Sequence, residues 1–76
     1  MLKHQYELDA TNDTCPQPVM KTKQFLKQMK SGEVLHVMAT DQLAEQDISM
    51  LLDAIDDKLI EKKVDNGVFH FYIQKS

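Results

Sequence analysis

Cys15 is the only cysteine among 76 residues and stands in the run Asn12-Asp13-Thr14-Cys15-Pro16-Gln17-Pro18, directly before a segment of helical periodicity. The first turn of a helix has N–H groups without intrahelical partners and carries the positive end of the macrodipole, so a sulfur there is favoured as thiolate. Pro16 suits the first helical position, because its missing N–H is an orphan there and its φ is already helical, which makes Cys15 the expected N-cap. Pro18 still falls within that first turn. The amides of Gln17 and Val19 are expected to face a thiolate or terminal persulfide, and Lys21 and Lys23 add positive potential. One cysteine cannot close an internal disulfide. Its covalent chemistry is therefore single-site: a persulfide, a mixed disulfide, or an acyl or metal adduct involving a partner. A thiolate attacking a sulfane sulfur gives Cys15–S–S⁻, whose terminal sulfur passes to the next thiolate by the same exchange chemistry as a disulfide. The plainer alternative is a small buried apolar residue, against which stand the polar lead-in and the helix start.

Other constellations carry less. His4, His36 and His70 are spread over three predicted strands without a short ligand spacing, so no metal and no cofactor is expected. His36 and His70 read instead as polar members of an open sheet face. Met20, Met29, Met38 and Met50 suit core filling or surface plasticity. There is no Ser-His-Asp grouping, glycine-rich phosphate loop or paired-carboxylate arrangement, so hydrolytic and nucleotide chemistry lack support.

The elements that would position Cys15 follow from periodicity. Tyr6, Leu8 and Ala10 alternate with polar neighbours as a strand ending near Asp9. Asp9 to Thr14 is rich in turn formers, with Asn12 the residue able to take a positive φ. From Pro16, the residues Val19, Thr22, Leu26 and Met29 follow the spacing of three and four, with Phe25 on the flank and Lys23, Lys27 and Lys30 opposite; Gly32 stops this helix. Residues 33–39 read as a central strand, with Leu35, Val37 and Ala39 on one face and Val34, His36 and Met38 on the other. Thr40 or Asp41 is placed to cap a second helix with apolar face Ala44, Ile48, Leu51, Leu52 and Ile55, which the Asp56-Asp57 pair ends. Asn66-Gly67 suits a type I′ turn between two strands. That turn pairs Val64 with Phe69, Lys62 with Phe71 and Ile60 with Ile73, putting Ile60 and Val64 in the core. Lys62 is the misfit, either laying its stem along the core edge or marking a bulge. The order is β-α-β-α-β-β in one domain, residues 1–76. The expected fold is α+β: a two-layer α/β sandwich whose four-stranded mixed sheet carries two helices on one face.

Composition sets the outer bounds. With 42% hydrophobic and 28% charged residues, the chain has the balance of a folded soluble protein, with no membrane insertion. The start of the chain lacks the apolar core of a signal peptide, and an unpaired cysteine fits a reducing cytoplasm, the expected location. A formal charge of −3 argues against direct nucleic-acid binding. The charges are segregated. Residues 16–30 carry four lysines and no acid, whereas residues 41–57 carry six acids and no base. The two helices are thus oppositely charged, either as plain solvated faces or as surfaces that steer different protein partners.

Asp9, Cys15-Pro16-Gln17-Pro18, the basic amphipathic helix, Ser31-Gly32-Glu33-Val34-Leu35-His36-Val37, Ala39-Thr40-Asp41 and the closing Phe69-His70-Phe71-Tyr72-Ile73 together resemble the TusA/SirA-like family of small sulfur-carrier proteins, over essentially the whole chain. The resemblance implies the same sandwich, similar to the C-terminal domain of a bacterial translation initiation factor. It also implies Cys15 as persulfide acceptor, with Pro16 and Pro18 shaping the helix start. Such proteins relay sulfur as carriers rather than stand-alone enzymes. Their partners are a sulfur donor, a cysteine desulfurase or rhodanese-type enzyme, and an acceptor in tRNA thiolation, molybdenum-cofactor maturation, sulfur oxidation or thiosulfate use. The stretch from Val34 to Asp41 is most similar to sulfur-oxidiser members. A monomer or weak oligomer is expected. Two departures bear on partner choice: Asn12 where members usually have Gly, and Gln42 where they often have Pro. The alternative is a non-catalytic interaction or regulatory module with an incidental thiol, in which Cys15→Ser keeps full biological activity.

Overall fold

The alternation of Tyr6, Leu8 and Ala10 does form a strand, β1 (Tyr6–Ala10), and the remaining elements follow in the expected order: α1 (Gln17–Gln28), β2 (Val34–Ala39), α2 (Ala44–Ala54), β3 (Lys58–Asp65) and β4 (Val68–Gln74). The structure, a computed structural model, describes residues 6–14 and 17–76. Cys15 and Pro16, and His4 with the other first residues, lie outside the described residues. The sheet order is β1-β2-β4-β3. β1 runs parallel to β2, from Tyr6 opposite Leu35 to Ala10 opposite Ala39. β4 is antiparallel to both β2 and β3. The mixed α+β sheet of the sequence reading is therefore present, with β2 central.

Leu26 of α1, Met29 just after it and Ile48 of α2 join Leu8, Leu35, Val37, Phe71 and Ile73 in one buried cluster, so both helices cover the same sheet face. Fully burying each such side chain contributes about 1.5–3 kcal/mol. α1 buries Pro18, Thr22 and Leu26, a stripe at spacing four. Pro18 thus does more than shape a helix start: it is a fully buried part of the core. Thr22 is buried without loss, because its hydroxyl donates to the Pro18 carbonyl at 2.7 Å. After α1 the chain turns at Lys30–Glu33, where the Glu33 amide donates to the Lys30 carbonyl at 3.0 Å and Gly32 has φ 89°.

Three expectations change. The hairpin turns at Asn66 and Gly67, with φ 52° and 78°, as a type I′ turn requires. Val64 faces Phe69 and Lys62 faces Phe71, but a register shift between Leu59 and Glu61 puts Leu59, rather than Ile60, opposite Ile73. Leu59 packs on the core, and Val64 is 58% exposed. Ile60 is the extra residue that has no partner in β4, and a one-residue shift exchanges the faces of the residues before it. Glu45 in the first turn of α2 pairs with Lys62 at 2.7 Å. Lys62 itself is exposed, and the register shift lies just before it, in line with the bulge among its two readings.

Neither Thr40 nor Asp41 caps α2. The N-cap is Leu43, without a side-chain cap bond. Asp41 instead builds the turn before the helix, its carboxylate accepting the Leu43 amide at 2.9 Å and its carbonyl the Ala44 amide at 3.0 Å. Finally, α2 ends at Ala54, ahead of Asp56-Asp57. Asp57 is buried and accepts the Ser76 amide and hydroxyl, both at 3.0 Å, tying the chain end to the sheet.

Candidate functional site

The loop that joins β1 to α1 is assembled from short-range bonds. Asp9 receives the amide of Thr11 at 3.0 Å and its hydroxyl at 2.5 Å on the same carboxylate oxygen. These bonds hold the Asp9 carboxyl below its ordinary value, the hydroxyl contributing most, the amide next, and the charge of Lys21 less. The Asp13 amide closes a turn onto the Ala10 carbonyl at 3.1 Å. At its third position Asn12 has φ 68°, as its side chain predicts. The Asn12 amide points out of that turn and donates to the Thr40 hydroxyl at 2.8 Å.

The helix side of the site departs from expectation in two respects. The Gln17 amide donates to the Thr14 carbonyl at 2.8 Å, so it is committed to the backbone and is no donor for a sulfur. Lys21 lies 2.6 Å from an Asp13 carboxylate oxygen. Its charge is therefore matched within the loop. Lys23 is exposed on the helix. Asn12, Gln17, Pro18 and Lys21 are thus gathered around the loop and the first turns of α1. Cys15 and Pro16, the residues they flank, lie outside the described residues, and so do the N-cap and first-position assignments.

Sequence reading missed Thr40 and Asp13 as members of this cluster. Parallel pairing of Ala10 with Ala39 makes the chain leave β1 beside the residue that follows β2, and the spacing of β1 and β2 alone does not specify that register.

On the opposite sheet face His36 and His70 do come together. His36 Nε2 and His70 Nδ1 are 2.8 Å apart, so one of them carries the shared proton. The Tyr72 ring stacks on His36 at 4.4 Å, and a Glu7 carboxylate oxygen lies 3.4 Å from His36 Nδ1. Among the described residues no group of three or more His, Cys, Asp or Glu side chains is arranged to hold a metal ion, and no helix is long and apolar enough to cross a membrane.

A four-stranded mixed sheet with two helices on one face, and a tightly bonded loop entering the first helix at a Cys-Pro-x-Pro run, define a class of small β-α-β-α-β-β proteins. The chain belongs to the family described as Sulfurtransferase TusA, whose profile matches residues 6–75. It is similar to the sulfur carrier protein TusA of Allochromatium vinosum, with 43% identity over 70 residues, or 92% of each chain. It is also similar to the sulfur carrier protein TusA of Pseudomonas putida, with 35% identity over 90% of this chain and 85% of that one. Among solved structures it resembles the crystal structure of the SirA-like protein from Desulfitobacterium hafniense, with a TM-score of 0.80 and 25% identity over 92% of this chain and 96% of that one.

Proposed function

We infer that this protein is a sulfur carrier that takes up sulfane sulfur as a persulfide on Cys15 and hands it to an acceptor thiol. The observation that carries the reading is the 43% identity, over 92% of both chains, to a sulfur carrier protein TusA. Cys15 is the only thiol with which this chain could carry sulfur covalently. In the first step the Cys15 thiolate attacks the terminal sulfur of a donor persulfide. A new S–S bond forms, the donor's S–S bond breaks, and the donor leaves as thiolate. In the second step an acceptor thiolate attacks the terminal sulfur of Cys15–S–S⁻ and Cys15 leaves as thiolate. No electrons are gained or lost overall. The donor is a protein of the desulfurase or rhodanese type and the acceptor a second protein, with the cytoplasm as the setting. The oppositely charged helices favour different partners for the two steps.

The test uses the whole chain, incubated with a rhodanese-type sulfurtransferase and thiosulfate and followed by intact-mass measurement. Wild type gains one sulfur atom, lost on treatment with a reductant, and Cys15→Ser gains none. An equal gain on Cys15→Ser, or none on wild type, overturns the reading. Full biological activity of Cys15→Ser would favour the interaction module instead.

A further inference from the structure

We propose that Thr40 is a positioning residue for the Cys15 thiol, its hydroxyl holding the left-handed Asn12 from which the chain leads into the cysteine. The proposal rests on reading Cys15 as the persulfide acceptor. Three observations converge on it. First, Asn12 has φ 68°, a left-handed conformation that asparagine tolerates and that sets the direction in which the chain leaves the turn. Second, the turn enclosing Asn12 is closed by the Asp13 amide on Ala10. That leaves the Asn12 amide to find a partner outside the turn, and it finds the Thr40 hydroxyl at 2.8 Å, 28 residues away in sequence. Third, Thr40 directly follows β2, whose last residue Ala39 pairs with Ala10 at the end of β1. The bond thus anchors the loop to the sheet. The other ties run to the helix, from Lys21 to Asp13 at 2.6 Å and from the Gln17 amide to Thr14 at 2.8 Å.

Residues 12–14 are therefore tied to the sheet through Thr40 and to α1 through Lys21 and Gln17. A thiolate gains from a helix N-terminus only within the first turn, so a loop free to drift lowers the thiolate fraction. Thr40 holds the sheet side of the residues that lead into Cys15.

The test compares wild type with Thr40→Val, Thr40→Ala and Thr40→Ser as whole chains. The first readout is the pH profile of Cys15 alkylation by iodoacetamide, and the second is the rate of sulfur loading from thiosulfate and a rhodanese-type enzyme. Thr40→Val keeps the shape and removes the acceptor oxygen. Thr40→Ala removes the oxygen without a second branch and serves if the valine variant loses its native circular dichroism. In both, alkylation at neutral pH should fall about three- to tenfold and its midpoint should move to higher pH. Thr40→Ser, which keeps the acceptor, should stay within about twofold of wild type. An unchanged profile in Thr40→Ala overturns the proposal, and so does a serine variant as impaired as the alanine one. Wild type that alkylates normally but gains no sulfur overturns the persulfide reading instead, and the alkylation profiles still decide the role of Thr40.

Discussion

A single carboxylate shows how much of the cysteine loop is set by local bonding. Asp9 is exposed, yet the hydroxyl and amide of Thr11 both donate to one of its oxygens and hold its carboxyl below the ordinary value of 3.8. At pH values between the lowered folded value and 3.8 the unfolded chain binds the proton more readily, so stability rises with pH across that window. The contribution is fully present above 3.8 and is lost as pH falls through the folded value. Removing the hydroxyl while leaving the amide should move the Asp9 titration part of the way back towards 3.8. Carboxyl chemical shifts of wild type and Thr11→Val as a function of pH measure this, and identical curves would contradict it. Lys21 makes the complementary point. Its charge was evident in the sequence, but its partner Asp13 was not, because the pair forms only once the loop folds back on α1.

Strands and helices were largely legible because each carries its own period, and the errors sit where one element ends over another. The Asn66-Gly67 turn correctly specified Val64 opposite Phe69 and Lys62 opposite Phe71, since a two-residue turn fixes register near the tip. Further along β3 the shift between Leu59 and Glu61 could not be read. A run of Leu59-Ile60 offers the core either side chain, and its pattern does not say which one is taken. The observed register makes a discriminating prediction. Leu59→Ala should lower the urea midpoint more than Ile60→Ala, because Leu59 packs on the core opposite Ile73. The reverse order would restore the unbroken register. Val64→Thr, at an exposed edge position, should change stability by less than about 0.5 kcal/mol in the same measurement. The start of α2 was misread for a related reason. Thr40 has the chemistry of a cap, but its hydroxyl is engaged by Asn12, which makes it part of the cysteine loop rather than of the helix.

At the scale of the molecule the sheet has two unequal faces, and β4 displays both in consecutive residues. Phe71 points into the layer between sheet and helices and is fully buried. Tyr72 points the other way, where it stacks on His36 at 4.4 Å with no helix above it. A chain of this length has a total stability of about 4–11 kcal/mol at the usual 0.05–0.15 kcal/mol per residue. Phe71→Ala, which leaves a cavity where β2, β4 and the helices meet, should cost about 3–5 kcal/mol, at least about a quarter of that total. It should move the urea midpoint sharply towards lower denaturant. Tyr72→Ala removes a stacked ring from a surface already half open to water, so water fills the space and no cavity is left. Its cost should be about 1–2 kcal/mol, with the fold retained. Equal losses at the two positions would mean that the uncovered face contributes as much as the core, and the two-layer description would fail. The expected inequality also bears on function. Thiol alkylation in Tyr72→Ala should match wild type, because the loop carrying Asn12, Asp13 and Thr14 is tied to Thr40 and Lys21.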